Sequence, residues 1–188
     1  MKKAEEQLIA RARRGSRAAF GELVRIYRDR VLALAYDLTG NYTDAQDVAQ
    51  EAFIKAYRGL IRYQGKSAFY TWLYRITVNQ ARDLLRKRKE MVSVDSPGIT
   101  AAISSEDVFS SAENRLDNQV LQKAVEEALS GLSENQRTAV ILTYFHGLSS
   151  AEAGEVMTIS ANTVRTHMLR ALSKLKPMLN DIKELMKL

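Results

Sequence analysis

Asp44, Asp47 and Glu51 stand three and four residues apart, so on a helix their carboxylates share one face, with Gln50 beside them. Such a set would hold a divalent cation only if further ligands joined it. The chain has two histidines, His146 and His167, both far along the sequence, and no metal site is expected. An acidic face in a basic segment is better suited to meet basic side chains of a protein partner. No set of nucleophile, base and acid is visible, no glycine-rich phosphate loop is present, and there is no cysteine. Thiol chemistry, disulfides and Fe–S clusters are thereby removed. Neither catalysis nor a cofactor is expected; the residue types point to binding.

Two other constellations suggest what is bound. Phe53, Tyr57, Tyr63, Phe69, Tyr70, Trp72 and Tyr74 fall within one short stretch, followed by Arg75, Arg82, Arg86, Lys87, Arg88 and Lys89. Rings that stack on unpaired bases, beside cations that hold the backbone, make a single-strand nucleic-acid surface. A small domain also needs large side chains in its core, and Phe53, Phe69 and Trp72 suit that role best. Tyr63, in the polar segment RYQGKS, is expected outside it. The second constellation lies near the C-terminus: a short helix over 150–157, a tight connection through Thr158 and Ile159, and a longer helix opened by Ser160. The solvent face of that helix would carry Asn162, Thr163, Arg165, Thr166, His167, Arg170 and Lys174. This is the pattern of a helix-turn-helix, whose second helix offers hydroxyl, amide and guanidinium groups to base edges and phosphates. The turn has no glycine, so Thr158 must adopt ordinary angles or bear strain.

The elements that position these groups read as helices throughout. Phe20, Leu23, Val24, Tyr27, Val31, Leu34, Ala35 and Leu38 recur at helical spacing from Ser16 onward. Thr43 with Gln46 suggests a capping box for a second helix that buries Val48, Ala52, Phe53 and Ala56 and ends near Gly59. A third runs from about Ser67 to Lys89. Residues 91–113 differ in kind: they hold six serines and no lysine or arginine, the composition of a linker. Helical periodicity resumes near Asn114. Ser133 with Gln136 caps a helix that buries Ala139, Val140, Leu142 and Phe145, and Ser149 with Glu152 caps the next. In the last helix Val164, Met168, Ala171, Leu172 and Leu175 should face inward, and Pro177 should close or kink it.

The whole is 188 residues, 46% hydrophobic and 27% charged, with 28 basic and 22 acidic side chains for a net +6. That composition is globular, and no apolar run approaches the roughly 20 residues of a membrane span. The N-terminal MKKAEEQLIARARRG has acidic residues and no apolar stretch of the kind a secretion signal needs. Residues 1–90 hold 19 basic and 10 acidic groups, net +9, against a net −5 over 91–130. A polyanion would be drawn to the first segment.

The runs DVAQEAFIKAYRGL, SAFYTWLYRITVNQARDLLRKRK and LSENQRTAVILTYFHGLSSAEAGEVMTISANTVRTHMLRALSKLK resemble bacterial RNA polymerase sigma factors of the extracytoplasmic-function type, near the envelope-stress group. The resemblance implies an all-α chain of two small domains, sigma domain 2 over 1–90 and sigma domain 4 over 119–188, joined by a flexible linker at 91–118. It implies a non-enzymatic factor that binds core RNA polymerase, recognises promoter DNA and promotes strand opening. By position, Asp44, Asp47, Gln50 and Glu51 would dock on the coiled coil of the largest subunit, with a further contact to the flap region. Tyr63, Tyr70, Trp72, Arg75, Asn79, Arg82, Arg86 and Arg88 would engage the −10 element. Arg165, Thr166, Leu169 and Arg170, with Asn162, Thr163 and His167 around them, would read the −35 element, and Ser149 and Ser150 would reach its backbone. An anti-sigma factor, often membrane-anchored, is implied as inhibitor of a cytoplasmic protein that does not itself enter the membrane.

The sequence departs from that family where Asn162 replaces a common glycine, His167 a common arginine, and Glu152-Ala153-Gly154 a Glu-Ile-Ala run. A glycine inside a two-turn helix costs about 1 kcal/mol relative to alanine, which close packing would offset. The alternative reading is a two-domain regulator that binds duplex DNA through 149–175 and dimerises or senses a signal through 1–90; an RNA-binding adaptor is a third.

Overall fold

The computed structural model describes residues 2–95 and 129–185. The expected linker from residue 96 on, and most of the helix expected from Asn114, lie outside the described residues. Two compact helical units are present. The first contains α1 (Lys2–Arg13), α2 (Arg17–Thr39), α3 (Tyr42–Gly59), a single 3-10 turn (Leu60–Arg62) and α4 (Phe69–Asp95). The second is built from α5 (Glu134–Val140), which continues into a π turn (Ile141–Phe145), most of α6 (Ser150–Met157), and α7 (Ala161–Leu185).

In the first unit, the Ser16 hydroxyl accepts from the Ala19 amide and starts α2. Leu23, Tyr27, Val31, Leu34, Ala35 and Leu38 are buried along that helix. Gly40, at φ 78, ends it in the left-handed region that glycine enters without a Cβ penalty. The chain then reverses at once into α3. Its cap is Asn41, whose side chain accepts from the Asp44 amide at 2.8 Å, and not the Thr43–Gln46 pair, because the helix already begins at Tyr42. α3 buries Val48, Ala49, Ala52 and Ala56 against α2 and α4. α4 outruns its expected end at Lys89 and occupies the first residues assigned to the linker.

In the second unit the Ser133–Gln136 capping box forms in both directions. The Ser149 hydroxyl accepts from the Glu152 amide while Glu152 accepts from the Ser149 amide at 2.8 Å, and Ser160 accepts from the Thr163 amide at 3.0 Å. α5 packs on α7, with Leu132, Val140, Ala171 and Leu175 in one cluster. Two residues expected inside are not: Phe145 is 54% exposed and Leu172 38%. The π turn adds a residue to one helical repeat, which moves Phe145 away from its 3.6-residue expectation; Leu172 lies on the separate helix α7. α7 also continues through Pro177, which therefore does not close it.

Candidate nucleic-acid and protein interfaces

α4 carries the clearest arrangement of polar groups. Leu73, Thr77, Val78 and Ala81 face the core, which fixes the helix in rotation. Trp72, Arg75, Asn79, Arg82 and Arg86 then fall at spacings of three and four along another face. Arg75, Asn79 and Arg86 are exposed, and Trp72 and Arg82 half-buried. Arg86 lies 3.3 Å from Asp83 on its own helix, an exposed pair worth little in water. One amide among cations, with a ring at its start, can pair with a base edge while the cations hold phosphates.

The aromatic cluster at the head of α4 differs from expectation. Tyr63 is only 9% exposed. Its ring packs against Phe69 at 5.7 Å and Trp72 at 5.1 Å, and its hydroxyl donates to the Ser67 carbonyl at 2.7 Å. The 3-10 turn re-aims the chain so that Tyr63 enters the core, although its neighbours in sequence are polar. Burial raises its pKa, as does the charge of Glu5, against a lowering by Arg13. Phe69 is buried as expected, while Tyr70 and Trp72 keep one side toward solvent.

The acidic face of α3 is smaller than its spacing suggested. Asp47 and Gln50 are exposed and Glu51 half-buried, but Asp44 is buried. Its carboxylate accepts from Arg88 at 2.5 Å and from the Asn41 side chain at 2.5 Å. That pair changes the expected geometry of both residues. Asp44 is turned inward and holds α3 to α4, and Arg88, two residues beyond Arg86, projects from another face of α4 toward α3. What remains is a mixed-charge groove between the two helices, with Asp47, Gln50 and Glu51 on one side and Lys87 and Met91 on the other.

In the second unit Asn162, Thr163, Arg165, Thr166, Leu169 and Arg170 are all exposed on α7. The Arg165 guanidinium donates to the Asn162 side chain at 2.5 Å, and the Thr166 hydroxyl to the Asn162 carbonyl at 3.0 Å. The Asn162 side chain thus holds Arg165 at a position where glycine would offer no side chain, while the Thr166 contact uses the backbone alone. Ser149 is exposed and Ser150 half-buried. His167 is not on the solvent face: it is half-buried, and its Nδ1 is buried without a hydrogen-bond partner. Thr158 does bear the strain of the turn, at φ 60, and Gly154 is required by close approach. A Cβ there would lie 2.7 Å from the Ile159 carbonyl oxygen.

A feature missed in the sequence is an apolar groove of the same unit, lined by Tyr144, Leu148, Met168, Leu169 and Leu172. Tyr144 is 64% and Leu169 69% exposed. Leu169 and Leu172, three residues apart on α7, are its signal in the sequence. Among the described residues no cluster of acidic and imidazole groups is placed to hold a metal, and no helix is long and apolar enough to cross a membrane.

The comparisons agree with both units. The family model of sigma-70 region 2 matches residues 23–91, and that of sigma-70 region 4 matches residues 122–175. The chain is 37% identical over 173 residues to the RNA polymerase sigma-H factor of Pseudomonas aeruginosa, covering 89% of each. It is 33% identical over 181 residues to the sigma factor SigW of Bacillus subtilis, covering 93% of this chain and 96% of that one. Among solved structures it resembles CnrH in complex with the cytosolic domain of CnrY, with a TM-score of 0.71 at 27% identity over 95% of this chain and 98% of the other. A second is the sigma factor RpoE of Bartonella quintana in complex with the anti-sigma factor NepR, with a TM-score of 0.70 at 25% identity over 86% and 96%. With a region 2 and a region 4 in order on one chain, and relatives matched along nearly their whole length, this protein belongs to the extracytoplasmic-function group of the sigma-70 family of RNA polymerase sigma factors.

Proposed function

We propose that this sigma factor binds core RNA polymerase, recognises the −35 element through α7 and the −10 element through α4, and promotes strand opening. The observation that carries the reading is the stripe Trp72, Arg75, Asn79, Arg82 and Arg86, which combines a base-pairing amide with phosphate-holding cations on one helix face. Asn79 contacts an unstacked base, and the arginines and the half-exposed ring of Trp72 hold the strand around it. Tyr63 supports that surface from below, and Tyr70 flanks it. On α7, Arg165, Thr166, Leu169 and Arg170 face the −35 bases, with Asn162 and Thr163 aligning them and Ser149 and Ser150 at the backbone. Two modest recognitions on one enzyme reinforce each other through effective concentration.

Asp47, Gln50 and Glu51 meet the coiled coil of the largest polymerase subunit, and the second unit makes a further contact to the flap region. The same surfaces are open to an anti-sigma factor, the class of partner named for the Bartonella relative. The chain acts in the cytoplasm, where such an inhibitor, itself anchored, would hold it at the inner membrane face.

The test is permanganate reactivity of unpaired thymines in complexes of the chain with core polymerase. Asn79→Ala should slow opening on a duplex promoter while closed-complex affinity stays near wild type. A template mismatched over the −10 region should relieve the unstacking cost but not the missing base contact. Wild-type opening by Asn79→Ala would refute the stripe as the −10 reader, and failure of the wild-type chain to bind core enzyme would favour a duplex-binding regulator.

A further inference from the structure

α1 places a carboxylate on the face that packs inward. Glu5, Leu8, Ile9 and Ala12 recur at three- and four-residue spacing along it. Ala12 belongs to the aromatic core of the first unit, and Leu8 and Ile9 pack against it. Glu5, half-buried at the start of that face, accepts a hydrogen bond from the Tyr27 hydroxyl of α2. The Tyr27 ring is 4% exposed. Burial, then that hydrogen bond and the negative charge of Glu5, raise the Tyr27 phenol well above its ordinary value. The contact is a phenol hydroxyl donating to a carboxylate oxygen, the stronger kind of hydrogen bond.

From Tyr27 a continuous set of rings leads to the candidate strand-binding surface. Tyr27 lies 5.4 Å from Phe69, Phe69 lies 5.5 Å from Trp72 and 5.7 Å from Tyr63, and Tyr63 lies 5.1 Å from Trp72. The Tyr63 hydroxyl closes the intervening loop on the Ser67 carbonyl. α1 also packs directly on the 3-10 turn that delivers Tyr63. Glu5 thus sits at one end of a packed path whose other end is Trp72, the first residue of the α4 stripe.

We propose that Glu5 is a positioning residue: by holding Tyr27, it latches α1 over the aromatic cluster and fixes Tyr63 and Trp72 in the geometry from which the displaced strand is engaged. The latch rests on the strand-reading role given above to α4. Packing alone would not need the pair, since two apolar side chains of similar shape can replace a buried hydrogen bond with little change in stability. The carboxylate adds direction. It fixes where the Tyr27 hydroxyl points, and with it the tilt of the ring that supports Phe69.

Trp72 is the only tryptophan of the chain, so its emission reports on the cluster directly. The full chain is compared as wild type, Glu5→Ala, Glu5→Gln, Tyr27→Phe and the Glu5→Ala/Tyr27→Phe pair, alone and with core polymerase. Tyr27→Phe keeps the ring and its packing, so it isolates the hydrogen bond even where Glu5→Ala folds poorly. Glu5→Ala and Tyr27→Phe should shift Trp72 emission alike, and the pair should do no more than either, the non-additivity expected of one shared contact. Glu5→Gln, which keeps an acceptor but loses the charge, should fall between wild type and Glu5→Ala. Opening of a duplex promoter should slow by about three- to tenfold in both single variants, the range for one net hydrogen bond, with closed-complex affinity unchanged. Wild-type Trp72 emission in Tyr27→Phe, or additive effects in the pair, would overturn the latch. Shifted emission with normal opening, while Asn79→Ala opens slowly, would also overturn it and leave the α4 reading intact. Normal opening in Asn79→Ala as well would remove that reading and the latch with it.

Discussion

Replacing Gly154 by alanine sets two physical effects against each other, and the structure decides the sign. Gly154 lies inside α6, where alanine is the better helix former by about 1 kcal/mol. Helix propensity alone therefore predicts stabilisation. A Cβ at this position would lie 2.7 Å from the Ile159 carbonyl oxygen, 3.3 Å from the Ala161 nitrogen and 3.4 Å from the Ser160 carbonyl carbon. All three are backbone atoms, so no rotamer change relieves the clash; the turn between α6 and α7 must move. That turn is held by the Ile159 amide donating to the Gly154 carbonyl at 2.9 Å. Overpacking costs about 1–3 kcal/mol, and a lost or stretched hydrogen bond about 0.5–1.5 kcal/mol. Less the propensity gain, Gly154→Ala should destabilise the second unit by about 0.5–3.5 kcal/mol.

The assay uses the position of the single tryptophan. Trp72 belongs to the first unit, so its fluorescence follows that unit, while far-UV circular dichroism follows the helices of both. A loss of 1 kcal/mol moves the midpoint of a domain this small by about 4–8 °C. The expected result is a dichroism transition displaced downward by several degrees or more and a fluorescence transition left where it was. An unchanged or raised dichroism midpoint would refute the close-approach argument, because propensity would then have won.

Four further outcomes are expected. Thr158→Gly removes a left-handed residue that costs about 1–2 kcal/mol but adds chain entropy worth about 0.5–1 kcal/mol, so the second unit should gain up to about 1.5 kcal/mol by the same dichroism measurement. Arg88→Ala leaves Asp44 buried with only Asn41 as side-chain partner; with Arg88 itself 57% exposed, the loss should be about 1–2 kcal/mol rather than that of a fully buried pair, and adding Asp44→Asn should recover most of it in urea unfolding followed at Trp72. Asp47→Lys should leave folding within about 0.5 kcal/mol but weaken capture of core polymerase in a pull-down through charge reversal at an exposed site. Folding raises the Tyr27 phenol above its ordinary value of 10.0, so its stabilising contribution is complete below about pH 10 and declines as pH rises beyond it; an absorbance titration should show Tyr27 ionising after the exposed tyrosines, and in Glu5→Ala this delay should shrink.

The surfaces assigned here divide by how far apart in sequence their determinants lie. Arg75, Asn79, Arg82 and Arg86 belong to one helix, so their common face follows from the 3.6-residue repeat once the core residues of α4 are identified. The exposed set on α7 was legible for the same reason. The acidic face was legible only in part: the spacing of Asp44, Asp47 and Glu51 holds, but Asp44 is claimed by a side chain 44 positions later.

What the sequence determined by itself was local: the presence of most of the helices, the Ser133, Ser149 and Ser160 caps, and the succession of two helical units, while the strain at Thr158 was one of two possibilities that the backbone decided. Each depends on groups within about four residues, and their chemistry is the same wherever the helix sits. Tertiary structure decided which polar-looking residues are inside. Tyr63 is buried because a 3-10 turn aims it at Phe69 and Trp72; Phe145 is exposed because a π turn shifts its register; Gly154 is needed because the chain returns to within contact of it five residues later. These outcomes depend on backbone direction between helices and on which surfaces meet, and burial is a property of that meeting rather than of the residue.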